Sequence, residues 1–277
     1  AAVDVDVIDI CLPTPLHASH TIRALEAGKH VMCEKPFTRT LEEAQQVAAA
    51  VERAAGMFTV GHVVRFFPEY ARARDLIAAG EVGAPRVVHT VRVGAFPPWS
   101  YQNWMGDLDQ SGGVILDLAC HELDWLRWTC GEVTRVFARG LAYSHLAEGD
   151  SRDHSLIVLR FASGAMAHVE VSWAMPPRGP FVTKVEVAGS RGLMSFDNQS
   201  SMPIRGYWNV EGGPTAIPES PLAVGPHQAE IAHFIDCIEA GRQPLVGVED
   251  AIKALEVSLA ALESVRTGLP VTLGGAQ

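Results

Sequence analysis

At 277 residues the chain has the size of one large or two ordinary domains, and with 48% hydrophobic and 19% charged residues it carries enough apolar surface to exclude a disordered chain. Its 22 basic and 32 acidic residues give a formal net charge of -10, which disfavours general nucleic-acid binding. No apolar run approaches the ~18–20 residues of a membrane span, no basic start followed by an apolar stretch marks a secretion signal, and five widely spaced cysteines without a C-x-x-C fit free thiols in a reducing cytoplasm.

Residues 5–12 (VDVIDICL) are a short apolar run stopped by Pro13, which reads as a buried parallel strand. Ala18, Ile22 and Leu25 then recur at helical spacing until Gly28 ends the helix. Residues 30–33 (HVMC) read as a second strand, halted at Pro36. Thr40 and Glu43 spell a capping box that opens a helix running to Ala55, and residues 57–60 give a third strand. This βαβαβ order implies right-handed crossovers and a parallel sheet, whose ligands gather beyond the carboxyl ends of the strands. Residues 13–17, 34–36 and 61–62 fall there.

Beyond this unit, residues 68–79 read as a helix and 86–93 as a strand. Residues 96–113, rich in Pro, Gly and Trp, read as loop, and 113–128 as a helix closed near Gly131. Strands follow at 133–143, 154–161, 165–173, 181–188 and 193–196, with hairpin signals at Ser163-Gly164 and residues 189–192. Residues 200–226 read as loop with one edge strand, and helices at 226–240 and 249–267 close the chain. In the last, Ile252, Leu255, Leu259, Leu262 and Val265 form an apolar stripe. The fold class is therefore α/β plus α+β: half of a nucleotide-binding parallel sheet, then a large, mainly antiparallel sheet covered by helices on one face. Val169, Val171 and Trp173 would make its other face apolar, an expected contact between copies of the chain.

Two places carry residues suited to chemistry. Lys35, at a strand end between Glu34 and Pro36, has an ammonium that can stabilise a developing alkoxide, or a pKa lowered by crowding. A lysine on a turn carries no function by itself. Asp117 and His121 are four apart on an otherwise apolar helix, where a carboxylate beside an imidazole would fix its tautomer and favour imidazolium. Asp124 and Trp128 continue that face. Cys120, Glu122 and Asp124 are metal-ligand types, but the second His of H-E-x-x-H is lacking, so no metal site is expected. No G-x-S-x-G supports a serine nucleophile. Taken singly, His62, Arg65, His89, His145, His154, His168 and His233 are uninformative, and a satisfied structural role is expected for most.

Three blocks together, Thr14-Pro15-Leu16-His17, Ala27-Gly28-Lys29-His30-Val31 with Glu34-Lys35-Pro36, and Gly112-Gly113 through Asp117 to His121 and Asp124, resemble the Gfo/Idh/MocA oxidoreductases (glucose-fructose oxidoreductase, inositol dehydrogenase and relatives). The resemblance implies a partial Rossmann dinucleotide-binding domain over residues 1–62 and a substrate-binding and oligomerisation domain over 63–277. It also implies NAD or NADP as cofactor and hydride transfer at a carbinol carbon of a sugar, polyol or related compound. By matched position it makes His121 the general acid/base, Asp117 its polar partner, and Lys35 a contact to substrate and nicotinamide. Thr14, Pro15, His17 and Glu34 become cofactor contacts, with Arg65 and Trp104 matched more loosely. His227 stands where relatives often have Tyr and receives no role. A homodimer or homotetramer through the open sheet face is implied as well.

No G-x-G-x-x-G occurs anywhere in the chain. Roughly 60 residues, about two βα units of ~30 residues each, are expected upstream of Ala1; the chain without them would hold a dinucleotide poorly. The alternative reading is a non-catalytic assembly module that has lost nucleotide binding.

Overall fold

The computed structural model describes residues 4–142, 153–200, 205–208, 215–216 and 225–274. Tyr143, His145 and most of the 200–226 segment lie outside them.

Strand β1 (Val7–Ile10), helix α1 (His17–Glu26), strand β2 (His30–Glu34), helix α2 (Leu41–Arg53) and strand β3 (Phe58–Gly61) make a three-stranded parallel sheet in the order β1-β2-β3. The capping box forms as expected: the Glu43 N–H donates to Thr40 Oγ1 at 3.2 Å and the Thr40 N–H to Glu43 Oε2 at 3.0 Å. Strand β1 departs from the expected buried strand. Val5 and Val7 are exposed because, among the described residues, β1 is an edge with β2 as its one partner, whereas Val31, Cys33 and Val60 are fully buried.

Helix α3 (Pro68–Ala78) and strand β4 (Pro85–Val93) lead into the loop that ends in the short helix α4 (Leu108–Ser111). A π-helical turn, Ile115–Ala119, then runs into α5 (Cys120–Cys130). Gly112 and Gly113 precede this turn with φ of 73° and 63°, a left-handed pair that only glycine adopts cheaply. Strands β5 (Val133–Leu141), β6 (His154–Phe161), β7 (Met166–Ser172), β8 (Val182–Gly189), β9 (Gly192–Asp197), β10 (Arg205–Trp208) and β11 (Thr215–Ala216) precede helices α6 (Pro226–Ala240) and α7 (Val248–Thr267) and a last strand, β12 (Val271–Thr272).

Among the described residues the second sheet has nine strands in the order β11-β10-β9-β8-β4-β7-β6-β5-β12, antiparallel except for the β4–β7 pair. Helices α5 and α7 cover one face. Val169, Val171 and Trp173, expected on the open face, are buried in this helix-covered core with Ile157, Leu159 and Val187. Alternation fixes which residues share a face but not which face the helices take. The open face instead carries Val87, Leu156, Val158, Met166 and Leu193, all exposed, around His89 and His168, whose rings stack at 5.0 Å.

The stripe read on α7 is also redrawn. Leu255 and Val265 are buried, but Ile252, Leu259 and Leu262 are only partly so, while Ala251, Ala254, Ala260 and Ala261 are buried. The helix lies between both sheets: Ala251 and Leu255 join the core of the parallel sheet, Ala261 and Val265 that of the larger one. Small side chains let it approach both.

Candidate active site

The carboxyl ends of β1 and β2 face the loop between β4 and α4 across a cavity of about 500 Å³. Cys11, Leu12, Pro13 and Thr14 line one wall, Trp99, Tyr101, Trp104 and Met105 another, with Glu34, Lys35 and Asp117 between them. The Lys35–Pro36 peptide is cis.

Lys35 and Asp117 meet although 82 positions separate them. Lys35 Nζ donates to Asp117 Oδ1 at 2.8 Å and to the Asp117 carbonyl at 2.9 Å. Burial works against the ammonium, but the Asp117 carboxylate outweighs it and the Lys35 pKa is raised. Lys35 is thus a firmly charged donor, not the crowded lysine of lowered pKa that the sequence also allowed.

This pairing revises the expected Asp117–His121 couple. Asp117 Oδ1 is engaged by Lys35, and His121 Nδ1, buried, has no hydrogen-bond partner among the described residues. Burial first, then the charges of Lys35 and Arg92, push the His121 pKa well below 6.5. A buried ammonium left without a counter-charge costs far more than a neutral imidazole left without a bond. The carboxylate therefore goes to the lysine, and the imidazole is neutral, able to accept a proton.

The remaining sequence candidates divide. Thr14 is buried on the cavity wall with its hydroxyl unpartnered. Glu34 accepts the Lys35 N–H at 3.1 Å; burial raises its pKa against the pull of the Lys35 charge. A Cβ on Gly61 would come within 3.3 Å of the Glu34 carboxyl, so glycine there leaves room for it. Trp104 is half-buried on the cavity wall. Pro15 is exposed in the turn after Thr14 and is not among the cavity-lining residues. His17 is a strut: its ring lies 2.7 Å from the Leu12 carbonyl and 3.0 Å from the Pro36 carbonyl, joining two strand-end loops.

Arg65 departs most from a cofactor contact. It grips Asp124 with two hydrogen bonds of 2.7 and 2.8 Å, donates to the Leu245 carbonyl at 3.1 Å, reaches Asp250 at 3.2 Å, and lies over the Trp128 ring. Burial works against the Asp124 carboxylate, but His62 and Arg65 outweigh it and hold its pKa below the usual range. Asp124, read beside Asp117 as one functional stripe, is thereby committed to a buried ion pair.

Two buried groups near the site were not singled out. His62, at the end of β3, has neither ring nitrogen hydrogen-bonded among the described residues and sits 4.0 Å from Asp124. Glu230, on α6, is 3% exposed with Oε1 unpartnered. Burial, aided by the carboxylates of Glu34, Asp9 and Asp124, pushes its pKa up to about 8. Its sequence signal is legible: Glu230 starts a buried 230, 234, 237 stripe whose other members are Phe234 and Cys237.

Residues 1–62 match the oxidoreductase family with an NAD-binding Rossmann fold, and residues 70–195 match the GFO/IDH/MocA C-terminal domain. The chain is 31% identical over 276 residues to scyllo-inositol 2-dehydrogenase (NAD(+)) of Bacillus subtilis, an alignment covering 97% of this chain and 78% of that one. This chain belongs to the Gfo/Idh/MocA oxidoreductase family. A second relative, 1,5-anhydro-D-fructose reductase of Ensifer adhaerens, is 31% identical over 280 residues, covering 96% of this chain and 79% of that one. Among solved structures, the aldose-aldose oxidoreductase from Caulobacter crescentus complexed with glycerol superposes with a TM-score of 0.86 at 28% identity, covering 97% of this chain and 79% of that one.

The nicotinamide cofactor that a Gfo/Idh/MocA family member uses fits the residues present. Thr14 Oγ1, His121 Nδ1 and Glu230 Oε1 are buried polar atoms without hydrogen-bond partners among the described residues, an arrangement native proteins rarely tolerate unless a ligand or water completes it. Of these three, Thr14 lines the cavity together with the positively charged Lys35; His121 and Glu230 are not among the lining residues, but His121 is close enough for the Lys35 charge to lower its pKa and Glu230 close enough for the Glu34 carboxylate to raise its own.

Proposed function

We propose that the chain oxidises or reduces a carbinol carbon of a sugar, polyol or related compound with NAD, and that Lys35, Asp117 and His121 carry the reaction. When bound, the nicotinamide supplies the hydride acceptor or donor. Thr14, Glu34 and Lys35, all on the cavity, would hold its reactive end. In the oxidising direction His121, neutral because burial and nearby cations disfavour its protonation, takes the hydroxyl proton as the carbinol C–H bond breaks and C=O forms. Lys35 donates to the substrate oxygen and stabilises its developing negative charge, and Asp117 keeps the ammonium charged and aimed. Reduction runs these steps backward.

The single observation that carries this reading is the 2.8 Å Lys35–Asp117 ion pair on the wall of a cavity at the strand ends. The intact set also disfavours the non-catalytic alternative. The test follows NADH absorbance during turnover of sugars and polyols by the wild type, Lys35→Ala and His121→Ala. Rate losses of roughly 10²–10⁴ in both variants support the assignment; near wild-type turnover in either would remove that residue from it.

We also propose that copies associate through the open sheet face, where Val87, Met166, Leu156 and Val158 surround the His89–His168 stack. All five cysteines are free, in keeping with a reducing, cytoplasmic setting.

A further inference from the structure

The loop between β4 and α4 holds two of the most solvent-exposed large side chains among the described residues. Trp99 is 78% exposed and Tyr101 71%, yet both line the same cavity as Lys35 and Asp117. Large aromatic surface left in water at the mouth of a charged cavity marks a place where a ligand completes the surface.

The loop is built to present these rings. Gln102 and Asn103 have left-handed backbones, with φ of 51° and 55°, an arrangement uncommon outside glycine. The Asn103 N–H donates to the Ser100 carbonyl at 2.9 Å, and the Gln102 amide donates to the Tyr101 hydroxyl at 3.1 Å. Further on, Ser111 Oγ is 3.0 Å from the Met105 carbonyl and 2.8 Å from that of Asp107, and the Asp107 side chain accepts the N–H groups of Asp109 and Gln110. Arg39, four residues after Lys35, donates to the Asp109 and Leu108 carbonyls at 2.9 and 3.1 Å. The aromatic rim is thus braced against the segment that carries the lysine.

The chemistry of the cavity is two-sided. Lys35 and Asp117 offer charged hydrogen-bonding partners, while Trp99, Tyr101, Trp104 and Met105 offer flat apolar surface. A ring carbohydrate has the same division, with hydroxyls around its edge and C–H bonds on its faces. Trp104, half-buried, lies deeper than its two exposed neighbours. We propose that Trp99 and Tyr101 form an outer stacking subsite for a second sugar ring, so that the enzyme prefers glycosides or disaccharides in ring form over single rings and open-chain polyols. The inference rests on the hydride-transfer reading for the reaction itself, but the stacking does not require turnover.

The experiment uses the full-length enzyme with NAD(H) and a panel of common hexopyranoses, their α- and β-linked disaccharides and the matching hexitols. Turnover gives KM and kcat, and the difference in tryptophan fluorescence between wild type and Trp99→Phe reports binding at the rim without catalysis. The expected result is a lower KM for a two-ring sugar than for its single-ring counterpart, and a rise of that KM by about 5- to 20-fold in Trp99→Ala, the loss of one aromatic contact, with a much smaller change in kcat. Tyr101→Ala should act in the same direction. If no sugar is turned over but two-ring sugars alter Trp99 fluorescence, the hydride reading fails and the subsite stands. If turnover proceeds and the ratio of two-ring to single-ring KM is the same in Trp99→Ala as in wild type, the subsite is overturned. A change of sedimentation coefficient in Trp99→Ala with that ratio unaltered would likewise overturn it, assigning the ring to a contact between copies.

Discussion

Lys35 Nζ lies 2.8 Å from Asp117 Oδ1, across 82 positions of sequence. The contact joins the end of β2 to the π-helical turn before α5, and so couples the parallel sheet to the larger domain at the cavity. Because burial opposes the Lys35 charge and Asp117 restores it, Asp117→Asn should let the lysine pKa fall. Activity of this variant should therefore decline as pH rises, at a lower pH than in the wild type. A pH–rate profile checks this; an unchanged alkaline limb would show that Asp117 does not sustain the charge.

His121 gives a second pH signature. Its pKa is lowered by burial first and then by Lys35 and Arg92, so the imidazole is neutral across neutral pH. The proton-accepting form is lost only on the acid side, below the ordinary histidine value of about 6.5. Oxidation should be flat in kcat/KM from about pH 6.5 to 8 and fall at lower pH. Measuring the profile in wild type and His121→Asn checks this; a midpoint at pH 7 or above belonging to His121 would contradict the buried, neutral ring.

Arg65 and Asp124 are predicted to matter for stability. Both side chains are almost fully buried, and removing Arg65 strips the Asp124 carboxylate of the cation that gives it two hydrogen bonds. Arg65→Ala should cost about 3–5 kcal/mol, read as a lower urea midpoint. Stability within 1 kcal/mol of wild type, with cofactor binding lost, would return Arg65 to the cofactor-contact role.

Much of this was legible beforehand, and the exceptions share a cause. The Thr40–Glu43 cap, the ends of β6 and α6 and the cavity-facing places of Thr14, Glu34 and Lys35 follow from local chemistry and strand order. What sequence spacing does not contain is competition between distant partners. Asp117 had one visible neighbour, His121, but the lysine 82 positions away needed the carboxylate more. Arg65, matched only loosely to a cofactor contact, is surrounded by Asp124, Asp250 and the Leu245 carbonyl, none of which lies near it in the sequence. Val169 and Val171 alternated correctly, yet nothing in alternation says which face receives α7.

Glu230 supplies a prediction about stability and pH. Its pKa, raised to about 8 by burial and then by three neighbouring carboxylates, exceeds the unfolded value of about 4.5. The native state therefore holds a proton that the unfolded chain releases. The associated stability is complete below about pH 4.5 and is lost as pH rises through about 8. Glu230→Gln, permanently neutral, should gain stability relative to wild type over that window, by a few kcal/mol at most (roughly 1.4 kcal/mol per pKa unit). Urea midpoints at pH 5 and pH 8.5 test it, and a difference between the two proteins that is the same at both would contradict a protonated Glu230.

The open sheet face predicts an oligomer that one charge can break. Met166 is exposed opposite Val87 on the neighbouring strand, beside the stacked histidines. Met166→Asp should shift sedimentation toward the monomer, while the native circular dichroism spectrum persists. A wild type that sediments as a monomer at micromolar concentration would refute association through this face.

The most direct test of the whole account is single-turnover hydride transfer in Lys35→Ala, with NADH affinity measured separately on the same protein. If the ammonium held by Asp117 stabilises charge at the reacting oxygen, the hydride step slows by roughly 10²-fold or more, far beyond any loss of NADH affinity. A hydride step at the wild-type rate, or a loss confined to NADH binding, would contradict it.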